Sequence, residues 1–145
     1  MAVAYVGELR SRLSARFHVQ IELTRAPSGF QTPAAVYVDG RVVRLFRGDS
    51  SLSIGDKLTF EVNVCRRGDR LPLGPSFMLY DTFLAARYLE AFLNGSPPHC
   101  HLALDQCVAL SDPTRRPHLR SSRVAYMVEM LRSGHGWKDS LKRPE

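Results

Sequence analysis

Three stretches of this chain alternate apolar and polar residues one by one, and this pattern constrains the fold more than any other feature. They are residues 16–24 (RFHVQIELT), 57–65 (KLTFEVNVC) and 99–110 (HCHLALDQCVAL). Successive side chains of a strand point to opposite faces, so a strand with one buried face shows this period of two. The sequence therefore predicts three half-buried strands, with Phe17 and Phe60 among the core residues.

A fourth and a fifth strand are predicted within residues 34–46, AAVYVDGRVVRLF. Asp39-Gly40 separates two runs rich in β-branched residues, and this dipeptide favours the two-residue type I′ turn of a hairpin. The hairpin that this turn implies would pair Val36 with Val43.

Helices are predicted at both ends of the chain and in its second half. Residues 2–14 place apolar side chains at helical spacing. Residues 76–80 are expected to form a short strand or extended entry to a buried helix that runs from about Asp81 to Asn94. A short amphipathic helix is predicted at about 122–133.

The order of these elements is strand, hairpin, strand, helix, strand, with a helix at each end. Over residues 15–110 this order resembles the OB fold, a small, partly open Greek-key barrel. The resemblance implies an α+β, mainly β protein: a small OB-like antiparallel β-barrel with a helix between strands and short terminal helices. One more closing strand is needed after residue 110, unless residues 2–9 or 76–80 supply it. Another small β-barrel or an α+β sandwich fits the order nearly as well.

The net charge of +6 is concentrated at one end of the chain. Residues 1–114 carry 12 basic and 11 acidic side chains, whereas residues 115–145 carry 8 basic and 3 acidic ones. We therefore expect one domain over residues 1–114, followed by a basic C-terminal helix and tail over residues 115–145. Such a tail attracts nucleic acid or an acidic partner, or is simply a solvated end.

Cysteine usage and hydropathy predict the compartment. Cys65, Cys100 and Cys107 are odd in number, whereas secreted disulfide scaffolds carry more cysteines in even number, so three free thiols are expected. No apolar run approaches the roughly 20 residues that span a bilayer, and the N-terminus does not resemble a signal peptide. We expect a cytoplasmic protein with no membrane partner.

Arg-Gly-Asp occurs twice, at residues 47–49 and 67–69. Both triplets follow predicted strands, and glycine and aspartate concentrate where strands turn. An adhesion ligand would also have to be extracellular. The sequence therefore favours two turns over two adhesion motifs.

The cluster of histidine and cysteine near residue 100 does not have the spacing of a metal site. On a strand, His99, His101 and Cys107 share one face and Cys100 points away. His99 and Cys107 would lie about 26 Å apart along the strand, too far to bind one ion. No metal and no cofactor are predicted.

No catalytic motif is recognisable in the chain, so we expect a protein that is not an enzyme. Cys65 follows the common pattern of a strand-end cysteine, although the neighbouring Arg66 and Arg67 would favour its thiolate. His18 and His118 are interpreted as ordinary surface histidines.

The remaining hypothesis is a small binding module. Aromatic side chains that stack on bases, together with arginines that contact phosphates, are what a binder of single-stranded nucleic acid requires. The predicted hairpin face and the corner after residue 65 supply the candidate residues Tyr37, Arg44, Phe46, Arg66, Arg67 and Arg70. The alternative is a protein-interaction or oligomerisation domain, whose partner is another protein or a second copy of the chain. In this alternative Tyr37 and Phe46 pack under a terminal helix.

Overall fold

A computed structural model describes residues 2–119, apart from the side chains of residues 2–6 and 8. In chain order its elements are α1 (Ala2–Ser14), β1 (Phe17–Arg25), β2 (Ala34–Arg47), β3 (Lys57–Cys65), β4 (Met78–Leu79), α2 (Tyr80–Ala85), β5 (Tyr88–Ser96) and β6 (His99–Leu110). The first helix, the three alternating strands and the short strand before α2 confirm the predictions from sequence. The helix predicted at about 122–133 lies outside the described residues. Neither described helix is long and apolar enough to cross a membrane.

The six strands form one mixed sheet whose pairings close into a ring, so that the sheet is roughly barrel-like. β1 pairs with β2 and β5, β2 with β3, and β5 with β6, all antiparallel. β3 closes the ring by pairing in parallel with β6 at Thr59 and His99. It also pairs in parallel with β4. The expected all-antiparallel sheet is therefore corrected to a mixed one.

The predicted hairpin at Asp39-Gly40 is wrong, because β2 runs through this dipeptide as one continuous strand. Gly40 is buried between two neighbouring strands, opposite Leu23 of β1 on one side and Leu58 of β3 on the other. An added Cβ at Gly40 would lie 2.5 Å from the Cδ1 atom of Ile21. Glycine serves here as the point of close approach between strands, and no turn is made.

The predicted pairing of Val36 with Val43 is wrong for the same reason. Val36 pairs instead with Val62 of β3. The first half of β2 pairs with β3 and its second half pairs mainly with β1, so one long strand joins two neighbours.

The predicted buried helix is only partly correct. Helix α2 ends at Ala85, and the following residues Tyr88–Ser96 form β5. Leu89–Leu93 is buried without interruption, because one face of β5 lines the interior of the sheet and the other lies under a second layer. The sequence of a strand buried on both faces is a continuous apolar run, and its periodicity does not distinguish it from a buried helix. β5 is the additional closing strand that neither candidate segment supplies.

The interior of the ring holds the main hydrophobic core. Its fully buried members come from β1, β2, β3, α2 and β5 and include Phe17, Val19, Ile21, Val38, Val42, Leu58, Phe60, Phe83, Leu89 and Leu93. A second, smaller layer lies on the outer side of β5, where Phe92 packs with Ala15, Ala103 and Leu119. The outer side of β5 is therefore covered, whereas outward residues of β2 and β3 remain exposed.

Candidate functional site

The outward side chains of paired β2 and β3 form an open polar surface, which we call the β2–β3 face. Its residues are Ala35, Tyr37, Asp39 and Arg41 of β2 and Lys57, Thr59, Glu61 and Asn63 of β3. They alternate with the core valines and leucines of the same strands, so the period of two that builds the core also builds this face. Thr59 Oγ1 donates a 2.7 Å hydrogen bond to Asp39 across the strands.

Tyr37 lies at the centre of the β2–β3 face, directly opposite Glu61. It is 64% exposed. The phenol is hydrogen-bonded to the Glu61 carboxylate, and this bond, with the negative charge of Glu61, raises the pKa of Tyr37. The ring is thus a protonated aromatic platform, accessible to a ligand and flanked by a carboxylate.

Arg66 lies just beyond the end of β3 and is held in place by three contacts. Its guanidinium carbon lies 3.8 Å from the centroid of the Tyr80 ring, a cation–π arrangement. Its Nη1 atom donates to the carbonyl oxygen of Phe30 and to Thr32 Oγ1, each at 3.1 Å. The loop between β1 and β2 and helix α2 therefore fix a cation at one end of the β2–β3 face.

Arg67-Gly68-Asp69 forms the turn that follows Arg66. The Arg66 amide donates to the Asp69 carboxylate at 2.7 Å, and the Asp69 amide donates to the Arg66 carbonyl oxygen at 3.2 Å. Gly68 has φ of 88°, a value that glycine adopts without strain. The turn interpretation of this triplet is confirmed, and Arg67 and Arg70 are both exposed.

The first Arg-Gly-Asp triplet also ends a strand in a turn. The Asp49 carboxylate accepts hydrogen bonds from the Ser51 amide and from Arg16 Nε, both at 2.9 Å. Bonds from Ser51 and then Arg16 lower the pKa of Asp49 to about 2. The turn interpretation holds for both triplets.

Arg44 and Phe46 do not join Tyr37 on one face, contrary to the predicted hairpin. Gln20 of β1 pairs with Arg44, whereas the next residue, Ile21, pairs with Val42. The register of β2 against β1 therefore shifts between these two pairs. Phe46 packs with its ring centroid 5.0 Å from that of His18. Nine residues along one strand separate Tyr37 from Phe46 by up to about 30 Å. Arg66 and Arg67 follow β3, the strand that pairs with Tyr37, whereas Arg44 and Phe46 lie on the part of β2 that pairs with β1.

A buried carboxylate forms a second polar cluster, on the outer side of β1 and β5. Glu90 is 0% exposed. It accepts hydrogen bonds from His18 Nε2 at 2.7 Å, Gln20 Nε2 at 2.7 Å, His118 Nδ1 at 2.8 Å and the His118 amide at 2.6 Å. Burial raises the pKa of Glu90, but the donors outweigh burial and hold that pKa below its ordinary value. Because an ionised carboxylate only accepts, both imidazoles donate to it.

This cluster attaches the segment after β6 to the sheet. Gln20 Nε2 donates to Thr114 Oγ1 at 2.6 Å, and the Thr114 amide donates to Gln20 Oε1 at 2.8 Å. Arg12 of α1 donates from Nε to Gln106 at 2.6 Å. Each of these buried side chains (Arg12, His18, Gln20, Glu90 and Gln106) has at least one hydrogen-bond partner, which is typical of a structural network.

Sequence analysis missed the role of this cluster. The interpretation of His18 as a surface histidine is wrong, since it is 2% exposed. The side chain of His118 is 41% exposed and bound to Glu90. The available signal was Glu90 itself, a single charge within the apolar run Tyr88–Leu93, because a charged residue is buried only where partners compensate it.

The three cysteines are free thiols, as expected. Burial raises the pKa of Cys65, and the charge of Asp69 raises it further, so the suggested activation by neighbouring arginines does not occur. Burial likewise raises the pKa of Cys107 to about 12. These thiols are poor nucleophiles near neutral pH, since the thiolate is the reactive form.

A bulge in β6 changes the faces predicted near the histidine and cysteine cluster. Leu104 and Asp105 have φ of 49° and 56°, and the register against β5 shifts beside them. Beyond the bulge Cys107 packs against the main core, while His99 and His101 are exposed, so the predicted shared face is wrong. Among the side chains that the structure describes, no three of His, Cys, Asp or Glu are grouped to bind a metal ion.

Comparisons with models of protein families, with curated proteins and with solved structures find no match to this chain.

Proposed function

We propose that this chain is an OB-type binding module that holds single-stranded nucleic acid along the β2–β3 face. The observation that carries the proposal is Tyr37, an aromatic residue that is 64% exposed at the centre of an open strand pair. Base–aromatic stacking is the sequence-tolerant part of single-strand recognition, and cations that contact the phosphates are the other part. The proposed role is binding, without a catalytic step.

The strand connectivity supports the OB assignment. Apart from the short β4, the ring contains five strands in the order β1, β2, β3, β6, β5 and back to β1. Helix α2 lies between the third and fourth of them along the chain, and its Phe83 is buried in the core. OB folds bind oligonucleotides and oligosaccharides on the face of strands 2 and 3, which here corresponds to the β2–β3 face.

The charges of the face also support an extended anionic ligand. Arg41 and Lys57 pair at one end of the face, and Arg66 lies beyond the other end, with Arg67 close behind it. At roughly 3.3 Å per residue, Glu61 lies about 13 Å from Lys57 and about 16 Å from Arg66 along β3. Both separations exceed the Debye length of about 8 Å at physiological ionic strength. Glu61 therefore does not cancel the charge of either end, although Glu22 of β1 lies directly opposite Arg41.

Fluorescence anisotropy with a labelled single-stranded oligonucleotide of mixed sequence tests the proposal. Tyr37→Ala should weaken binding by about 1–3 kcal/mol, while Tyr37→Phe keeps the ring and should bind as the wild type does. Arg67→Ala should reduce the slope of log K against log salt by about 0.7, the value of one phosphate contact with a single strand. Arg44→Ala is the matched control, because Arg44 lies outside the β2–β3 face. Absence of binding at physiological salt, or equal losses from Arg44→Ala and Arg67→Ala, would contradict the proposal.

A protein-interaction or oligomerisation role is the second candidate, favoured by a different observation. The segment between β3 and β4 exposes two leucines, Leu71 at 43% and Leu73 at 100%. Exposed apolar side chains beside Arg70 suit a contact with a partner protein or a second copy of the chain. Sedimentation velocity of the wild type and of Leu73→Ser distinguishes the roles. A concentration-dependent oligomer that Leu73→Ser dissociates would favour this alternative.

A further inference from the structure

We infer that Glu61 reads the base that stacks on Tyr37, so that the site prefers guanine and disfavours uracil and thymine. This inference rests on the proposed function and deepens it, because it assigns base selectivity to a ligand face that is otherwise tolerant of sequence. Its basis is the direct cross-strand pairing of an exposed aromatic residue with an exposed carboxylate.

The position of Glu61 places its carboxylate within reach of a stacked base. Directly opposite residues of an antiparallel pair have Cβ atoms about 4.5–5.5 Å apart, and Tyr37 and Glu61 form such a pair. An ionised carboxylate has two oxygens with about four acceptor sites. Even when the Tyr37 phenol uses one of them, acceptor sites remain for the edge of a base.

The chemistry of the carboxylate decides which base it accepts. Because it has no donor, it gains hydrogen bonds from N–H groups and is repelled by carbonyl oxygens. Guanine presents two adjacent N–H donors, N1–H and the N2 amino group, which match the two oxygens of one carboxylate. Uracil and thymine present a single N–H between two carbonyl oxygens, so the second carboxylate oxygen faces a lone pair. Adenine and cytosine, each with one amino group, should rank between them.

Glu61 is the carboxylate directly opposite Tyr37. The other carboxylate of the face, Asp39, lies opposite Thr59 and accepts a 2.7 Å hydrogen bond from Thr59 Oγ1. On the other side, Ala35 lies opposite Asn63, and the small alanine leaves room for a base beside Tyr37. Because Glu61 repels phosphate, the backbone of the ligand is directed toward the cations at the two ends of the face.

The experiment uses oligouridylates of about ten nucleotides, either pure or with one central guanosine, cytidine or adenosine. An oligonucleotide with one variable nucleotide can bind in the register that places this nucleotide on Tyr37. A single guanosine also avoids the self-association of guanine-rich strands. For the wild type, the guanosine oligonucleotide should bind about five- to ten-fold more tightly than pure oligouridylate, the lower part of the range for a bidentate base contact. Inosine, which lacks the N2 amino group, should lose most of this preference.

Glu61→Gln should reduce the preference for guanosine to less than about two-fold, because an amide both donates and accepts. Its affinity for pure oligouridylate should stay the same or increase. Glu22→Gln, which removes an exposed carboxylate of β1, is the matched control and should keep the wild-type preference.

The outcomes separate the two proposals. Equal affinity of the wild type for the guanosine and uridine probes, with binding still weakened by Tyr37→Ala, overturns the inference and leaves the proposed function standing. A guanosine preference that survives in Glu61→Gln also overturns it. Absence of binding to every probe overturns the proposed function, and the inference with it.

Discussion

The imidazole of His118 and the carboxylate of Glu90, 28 residues apart in the chain, lie with Nδ1 2.8 Å from Oε1. The His118 amide binds the other oxygen of the same carboxylate. One fully buried side chain thus anchors both the backbone and the ring of a residue beyond the last strand. This relationship attaches the segment after β6 to the outer side of β1 and β5.

We expect Glu90→Gln to destabilise the protein. The amide keeps the shape of the side chain but presents an NH₂ group where a donor already points, so at least one buried N–H loses its acceptor. The cost of such a loss is about 1–3 kcal/mol, measurable by urea denaturation at neutral pH. Glu22→Gln on the exposed side of β1 serves as the control and should change the free energy of unfolding by less than about 0.5 kcal/mol. Equal effects of the two changes would mean that the buried network contributes nothing specific.

The stabilisation by Glu90 should depend on pH. The pKa of Glu90 in the folded protein lies below its ordinary value of 4.5, so its contribution is complete above about pH 4.5. It is lost as the pH falls through the folded-state pKa, where a neutral carboxyl group resembles the amide of the variant. The difference in unfolding free energy between wild type and Glu90→Gln should therefore narrow over the range below about pH 4.5, as the pH falls through the lowered folded-state pKa of Glu90. A difference that stays constant over this range would show that the carboxylate charge is not the cause.

Phe60→Ala should be among the most destabilising substitutions. Phe60 is 0% exposed in β3, which pairs with β2, β4 and β6, so the cavity cannot be filled by movement of an edge strand. The expected loss is about 3–5 kcal/mol. Thermal unfolding of Phe60→Ala measures this loss, with Tyr37→Ala as the control at an exposed position. A loss of unfolding free energy below about 1 kcal/mol for Phe60→Ala would contradict the prediction.

Gly40→Ala should destabilise the protein by about 1–3 kcal/mol through overpacking. The added methyl group would lie 2.5 Å from Ile21 Cδ1 and 3.0 Å from the Glu22 carbonyl oxygen. Ile21→Val removes Cδ1, so the double variant should lose less stability than the sum of the two single variants. A double-mutant cycle of denaturation free energies measures this coupling. Simple additivity would mean that Ile21 is not what excludes a side chain at residue 40.

The strands with one buried face could be predicted from sequence. β3 was predicted at its observed bounds, and the alternation of β1 correctly assigned Phe17, Val19 and Ile21 to the core. These predictions succeed because alternation is a local property of the chain that one buried face imposes directly.

The residues that accompany Tyr37 in the candidate site could not be predicted. Asp39-Gly40 has the local signal of a turn, but a turn would have required β2 to fold back on itself, and β1 and β3 pair with it on both sides instead. This pairing separates Arg44 and Phe46 from Tyr37. It leaves Arg66, held on Tyr80, as the cation fixed beside the end of the face.

The sequence by itself determined the positions of the three alternating strands, that the thiols are free, and that both Arg-Gly-Asp triplets lie at turns. Only the tertiary structure decided that Tyr88–Ser96 is a strand, that β2 is continuous, and that Glu90 is buried with its partners. The physical reason is that these last features depend on neighbours distant in sequence. A run that is apolar on both faces, or a glycine between two strands, has the same local appearance in several structures, and the backbone hydrogen bonds of the closed ring favour one of them.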